Sequence, residues 1–486
     1  MTAETPLIAI YDFEFFPYAL GDVLTWNIRT AMRCDELGKK QADIYICLDE
    51  RHPASIYQQG SINPDNYELF FTELYSAFGT NPRLGNIFIF RQRESMLEQL
   101  HQATLKDKAN LEAFHDYLAL VKKRVAASMI NRILNKIDRK ARAKPFIKKI
   151  LSRFAPTAVK NTLPEQALNN YFIKYVYSHE AINQFAAQKG YIPLLQASLG
   201  CTADVNEIIA RKFTAKKIVA FHLRLRRLDV GYAGDHTYDR DSSFLEWYDF
   251  LRQAAIKHPH VQFIALGRLQ EKPLEILRLP NVASLRIFGM GLGHELTLML
   301  KSDLFIGTSS GFAALANFST LPYFITRMNP GSCKAYAIPD NAEYLPFAKE
   351  NQKLVYEQET SGLLMQLLET GLALKNDPSN TVADSASPPS PIDINEWLKL
   401  HKDPYYSART TCRFYDTDKY RNEETAYLLL PYFDKIEQAL IEQQYKEAEL
   451  LLNKLQVNFP ELCQQFPTYQ TLKNQIEQFK IDRISS

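Results

Sequence analysis

The sequence predicts an α/β protein of two parallel-sheet domains, with a helical insertion in the first and a helical tail after the second. Three observations predict it. Short apolar runs alternate with amphipathic helical stretches near the N-terminus and again from residue 218. A basic, helix-periodic block interrupts the first series. The chain's 486 residues also exceed what one ordinary core organises.

Leu7-Ile8-Ala9-Ile10 reads as a buried first strand. After a loop, Gly21-Asp22 opens a helix running from Val23 to Leu37. Ile44–Leu48 and Ile87–Phe90 follow as strands. Strand, turn, helix, strand is the start of a βαβ unit. From about 94 to 154 the pattern turns helical. Between Lys122 and Arg153, about a dozen Lys and Arg face one acid, Asp138. Apolar spacing at Ile130, Ile133, Leu134 and Ile137 fits a helical hairpin with a solvated basic face. The alternative is a surface for anionic lipid or polyanionic glycan.

The second series is denser. Ile218–Phe221 is a strand, Ser243–Ile256 a helix capped by Ser242 or Ser243, and Val261–Leu266 a strand ending at Gly267. Val282–Ile287 is another strand. Glu295–Lys301 is a helix, Leu304–Ile306 a strand, Gly311–Phe318 a helix and Tyr323–Ile325 a strand. This is a doubly wound domain of ordinary size. The expected boundaries are 1–210, 211–375, a Pro- and Ser-rich linker at 376–394, and a helical tail at 395–486. The tail stretch from Ile436 resembles one tetratricopeptide hairpin, and its apolar face of Ile436, Leu440, Ala448 and Leu451 must bury against something. We expect it to cross back onto the first domain.

Composition excludes several classes. A net charge of +2 gives no general attraction to nucleic acid. Cys34, Cys47, Cys201, Cys333, Cys412 and Cys463 form no CxxC pair, so zinc and dithiol chemistry are not indicated. The N-terminal residues lack the basic and apolar regions of a secretory signal, and no apolar run spans a bilayer. The expected location is cytoplasmic, with peripheral contact at the inner face of a membrane as an option. Gly289-Met-Gly291-Leu-Gly293 puts His294 where a dinucleotide fingerprint needs glycine, which argues against a nicotinamide enzyme. Asp239-Arg240-Asp241 and Asp416-Thr417-Asp418 have the spacing of a metal-diphosphate bridge, but no strand runs into either.

Two segments carry the chemistry. His222-Leu223-Arg224-Leu225-Arg226 follows a strand directly, where open α/β sheets bind ligands, and alternation puts His222 and Arg224 on one side. A guanidinium there suits phosphate. Ser302–Phe312 is a strand, a hydroxylic turn (Gly307-Thr308-Ser309-Ser310-Gly311) and a helix start, a pattern that suits anions. Taken alone, each is also consistent with an ordinary basic loop or a plain N-cap.

With these motifs and Thr237-Tyr238-Asp239-Arg240-Asp241 between them, residues 218–327 resemble the fucosyltransferase-like superfamily of GT-B glycosyltransferases. The likeness is greater to a bacterial group within that superfamily. The resemblance implies a GT-B-like fold of two Rossmann-like domains facing a cleft. It implies glycosyl transfer from a nucleoside-diphosphate sugar to a glycan, lipid-linked or protein acceptor, with neither metal nor other cofactor. Arg224 would bind the donor diphosphate, supported by His222 and, around it, Arg226, Tyr238 and Arg240. Thr308, Ser309, Ser310 and Gly311 would receive phosphate oxygens. Gly267, His294 and Glu295 would lie near the base or ribose. Leu225 stands where that superfamily often has a second arginine, so the expectation stops at "nucleotide sugar". On the acceptor side, Asp12, Glu14 and Asp22 are candidate general bases; Asp22 is equally a helix cap. A sugar epimerase on the same fold and a non-catalytic scaffold are the competing readings.

Overall fold

The computed structural model describes residues 5–53, 62–141, 171, 174–175, 178–214, 216–225, 240–373, 432–433, 435–460, 463 and 467–484. Arg226, Tyr238, Asp239, Cys412, Asp416, Asp418, the 376–394 linker and the basic residues after 141 lie outside them. The other five cysteines are free thiols. The chain divides into two units, residues 1–197 with 334–338, and residues 198–333 with 339–486.

In the first unit, β1 (Leu7–Asp12), β2 (Ala42–Cys47) and β3 (Leu84–Phe90) form a parallel sheet in that order. Helices α1 (Leu20–Glu36), α2 (Tyr67–Phe78), α3 (Arg93–Thr104), α4 (Lys108–Ala141) and α5 (His179–Lys189) accompany it. All six residues of β1 are buried, so it reads as a continuous apolar run rather than an alternating one. Tyr11 anchors an aromatic cluster, with ring centroids 4.9 Å from Phe13, 5.4 Å from Trp26 and 5.1 Å from Phe78. These rings pin α1 and α2 to the sheet and hold the loop after β1 in place. The basic block begins within α4, which is continuous from Lys108 to Ala141.

The second unit opens with α6 (Leu199–Lys212). Its sheet contains β4 (Lys217–His222), β5 (Val261–Ala265), β6 (Val282–Ala283), β7 (Leu304–Thr308), β8 (Tyr323–Thr326) and β9 (Gln352–Leu354). The strands run in the order β6-β5-β4-β7-β8-β9, and every pairing is parallel. Numbered from β4, this is the 3-2-1-4-5-6 order of a doubly wound sheet, and the order reverses between β4 and β7. Helices α7 (Phe244–Lys257), α8 (Leu292–Lys301), α9 (Gly311–Asn317) and α10 (Ser361–Ala373) make its crossovers and flanks.

Four local expectations change. The strand expected over 282–287 is two residues long. The Ser284 side chain accepts the Arg286 N–H and turns the chain into a 3₁₀ segment that ends at Gly289, φ 73°. Helix α8 begins at Leu292, with Gly291 as N-cap, so His294 and Glu295 lie inside it and not before it. Ser243 occupies the N-cap position of α7, but its side chain makes no capping bond. A further strand, β9, completes the sheet inside the expected 211–375 boundary, although the sequence reading ended its strands at Ile325.

The tail differs most. Helices α11 (Tyr445–Asn458) and α12 (Pro467–Ile484) belong to the second unit. Tyr432, Ile436, Ala448, Leu452, Leu455 and Phe459 share one buried core with Phe244, Trp247 and the strands. Leu440 and Leu451 pack against it half-buried. Lys454 pairs with Glu246 at 2.6 Å, and Arg252 donates to Asn458 at 2.8 Å. The expected apolar face is therefore buried, on α7. Among the described residues no helix is long and apolar enough to cross a membrane.

Candidate functional site

The sequence motifs converge where the strand order reverses. In the β4–β7 ladder, His222 stands opposite Gly307. Gly307 is needed there because a Cβ would lie 3.0 Å from the His222 carbonyl oxygen and 3.0 Å from the Phe305 ring. That close approach sets His222 at the end of β4 beside Thr308 at the end of β7. Thr308 is fully buried, and its hydroxyl has no hydrogen-bond partner among the described residues. The same holds for Ser310 Oγ and His222 Nδ1. Burial pushes the His222 imidazolium down to about 4, with Lys272 and Arg224 adding to the effect and Glu271 opposing it. The ring is therefore neutral at pH 7, and it lies 5.0 Å from the Phe312 ring.

Arg224 follows two residues beyond His222. Its backbone pairs with Ser242: Arg224 N donates to Ser242 Oγ at 3.1 Å, and Ser242 N donates to the Arg224 carbonyl at 2.7 Å. Its guanidinium stands 3.7 Å from Asp241. Asp241 thus faces an arginine. Arg240 reaches the Ser309 carbonyl at 3.4 Å. Gly311 starts α9, which has seven residues.

Beneath this surface lies an ion cluster that the sequence did not reveal. Gly267, at φ +101°, lies two residues after β5, and its N–H donates to Glu295 Oε1 at 3.1 Å. The other oxygen of Glu295 accepts Arg286 Nη2 at 2.8 Å, and Lys272 Nζ lies 3.7 Å from Oε1. Lys272 Nζ also donates to the Gly267 carbonyl and, at 3.2 Å, to Ser284 Oγ. Glu295 is fully buried and Lys272 nearly so. Burial pushes the Lys272 ammonium down to about 8, although Glu295 holds it up. His294 commits both ring nitrogens: Nδ1 accepts the Gly291 N–H at 3.3 Å, and Nε2 lies 3.1 Å from Asp204 on α6.

In the first unit the three carboxylates differ sharply. Asp12, fully buried, accepts Arg93 Nε at 2.8 Å and the Tyr117 hydroxyl at 2.5 Å. Glu14 pairs with Arg93 at 2.6 Å and Arg124 at 2.8 Å. Asp49 lies 3.7 Å from the same Arg93. Asp12 and Glu14 are thus held in ion pairs. Asp22, in the first turn of α1, has no such cation among the described residues, and desolvation pushes its carboxyl up to about 6. Arg93 and Tyr117 gave no sequence signal, because each sits on an amphipathic helix whose pattern accounts for it.

No family model and no curated protein matches the sequence. Solved structures resemble it at low identity. The ADP-heptose lipopolysaccharide heptosyltransferase II of E. coli is 9% identical, with a TM-score of 0.41 over 76% of this chain and 99% of that one. A glycosyl transferase family 9 protein of Veillonella parvula is 11% identical, with a TM-score of 0.36 over 77% and 99%. The fucosyltransferase NodZ of Bradyrhizobium is 13% identical, with a TM-score of 0.26 over 66% and 95%. No residue role follows from these likenesses.

Proposed function

We propose that this chain is a metal-independent glycosyltransferase of the GT-B type that uses a nucleoside-diphosphate sugar. The acceptor is a hydroxyl on a glycan, lipid-linked or protein substrate. The donor diphosphate lodges at the ends of β4 and β7. One observation carries this reading: His222 Nδ1, Thr308 Oγ1 and Ser310 Oγ are buried together without partners among the described residues, at the strand-order reversal and beside Arg224. An unsatisfied buried polar group costs about 1–3 kcal/mol. Phosphate oxygens would offset that cost for the two hydroxyls, and a neutral histidine can donate one more bond.

The chemistry follows from that placement. A base takes the proton of the acceptor hydroxyl. Its oxygen attacks the anomeric carbon, the carbon–oxygen bond to the diphosphate breaks, and the diphosphate leaves with the electron pair. Arg224 and the hydroxyls bind the charge that builds on the leaving group, which is the work a metal would otherwise do. Of the three candidate carboxylates, Asp22 suits the base. Asp12 and Glu14 are held by arginines, whereas a carboxyl near 6 is both available at neutral pH and more basic than usual.

The test is a thermal-shift panel of UDP, GDP, CDP, dTDP and ADP, with their sugars, on wild type and Arg224→Ala. A ligand at 100 times its Kd adds about 2.7 kcal/mol of stability. The expected result is a shift with one base in wild type, lost in Arg224→Ala, which itself melts like wild type. A wild-type protein that no nucleotide shifts, or a variant that keeps its shift, refutes the assignment.

A further inference from the structure

We propose that the C-terminal tail is a positioning element of the Arg224 site, acting through the hydroxyl of Tyr432. The N-terminus of α7 has orphan N–H groups, and its own N-cap serine does not bond them. Tyr432, fixed in the core shared by tail and sheet, does so instead. Its hydroxyl accepts the Leu245 N–H at 3.0 Å and meets Ser243 Oγ at 3.0 Å. The phenol oxygen thus accepts from Leu245 and shares a second hydrogen bond with Ser243, in which either hydroxyl can donate. On the other side, Glu359 accepts the Ser243 N–H at 2.8 Å and the Thr326 hydroxyl at 2.6 Å, which ties the same turn to the end of β8.

The consequence reaches the site in one step. Ser242, immediately before this clamped turn, pairs with Arg224 through two hydrogen bonds, and Asp241 faces the Arg224 guanidinium. Arg224 therefore rests on a three-residue segment, 241–243, whose far end is held by a tail residue. Without the Tyr432 hydroxyl, the start of α7 frays and the Arg224 backbone loses a fixed partner. The tail thus serves the reading given above by placing the guanidinium, and it touches no substrate itself.

The experiment uses the full chain carrying Tyr432→Phe, which keeps the ring in the core. Arg252→Ala serves as the control, since it removes a tail contact at the far end of the same helix. Amide hydrogen exchange is read at residues 222–225 and 240–245, alongside nucleotide affinity. One lost hydrogen bond of about 1 kcal/mol corresponds to roughly a fivefold change. The expected result for Tyr432→Phe is about fivefold faster exchange at Arg224 and Ser242, with a matching rise in nucleotide Kd. Arg252→Ala lowers the melting temperature but leaves both unchanged. Ser243→Ala, which removes the second partner of the phenol, should reproduce the exchange effect. Wild-type exchange at Arg224 and Ser242 in Tyr432→Phe, or equal acceleration in Arg252→Ala, overturns the proposal. If wild type binds no nucleotide, the donor-site reading falls separately and the exchange measurement still decides the brace.

Discussion

Replacing Glu295 by Gln separates two roles for this residue, contact with the nucleotide or internal support. Glu295 is fully buried and is the shared counter-charge for Arg286 and Lys272. Removing one partner of a buried ion pair costs about 3–5 kcal/mol, because the other charge stays desolvated. Glutamine keeps one acceptor, for either the Gly267 N–H or Arg286, so the loss belongs near the lower bound, about 3 kcal/mol. At about 2–4 °C per kcal/mol for a domain of this size, the melting temperature should drop by about 6–12 °C at pH 7. Lysine in an unfolded chain titrates near 10.4, and burial has already brought Lys272 to about 8. The unfolded chain thus binds more protons between those values, and stability from this group rises with pH across that window. Without Glu295 the folded ammonium loses its attraction and the window opens at lower pH. The deficit of Glu295→Gln should therefore narrow as the pH is raised from about 7 to about 9. Calorimetric melts of both proteins across that range make the measurement. A variant that melts like wild type, or a deficit that ignores pH, refutes the support role. Normal melting with lost nucleotide binding would instead put the carboxylate in contact with the ligand.

Three further outcomes are expected. If Asp22 is the base, kcat/KM should fall tenfold per pH unit below an apparent pKa of about 6, and Asp22→Asn should abolish turnover while raising stability at pH 7, since a carboxyl shifted upward disfavours the folded state above its unfolded pKa; an acid limb near 4 would point away from it. EDTA should leave transfer intact, because Arg224 stabilises the leaving diphosphate; activity lost to EDTA and restored by Mn²⁺ would return Asp239 and Asp241 to consideration. If the basic block at 122–153 docks on anionic lipid, binding to phosphatidylserine vesicles should weaken steeply between about 0.05 and 0.5 M salt, and no binding at low salt would leave a solvated face.

How much of this could be read from the sequence depends on how far apart the interacting residues are. The doubly wound second unit was legible because each strand is a local apolar run, and the order of runs and helices limits the topology. His222 and Thr308 were legible for the same reason, as the last residues of two such runs, with glycine and hydroxyl neighbours that need no distant partner to be noticed. The charged cluster was not. Glu295 and Lys272 lie on different elements, and each reads locally as an ordinary polar residue of a turn or helix. Only the meeting of the ends of β5 and β6 with the start of α8 turns them into a buried set. Asp12 shows the reverse failure. A carboxylate at the end of a first strand looks like a base in sequence, and its arginine arrives 81 residues later, on a helix whose periodicity already explained it.

The tail shows why that range matters for function. Its amphipathic pattern required a partner surface; the sequence reading set that surface on the first domain, whereas the tail packs into the core of the second unit. The choice depends on matching particular groups: Lys454 with Glu246, Asn458 with Arg252, and the Tyr432 hydroxyl with an amide 187 residues earlier. Periodicity specifies that a face is apolar, but a buried hydroxyl needs one particular donor and acceptor, and that requirement selects among apolar surfaces. The same bond that places the tail also finishes the turn beneath Arg224. Selection of the tail's docking face and ordering of the candidate site are therefore one event in this fold. A truncation before residue 395 should accordingly weaken nucleotide binding, and it should also expose the apolar flank of α7. If the truncated chain melted and bound nucleotide like the whole protein, the tail would be an independent module and the bond to Leu245 incidental.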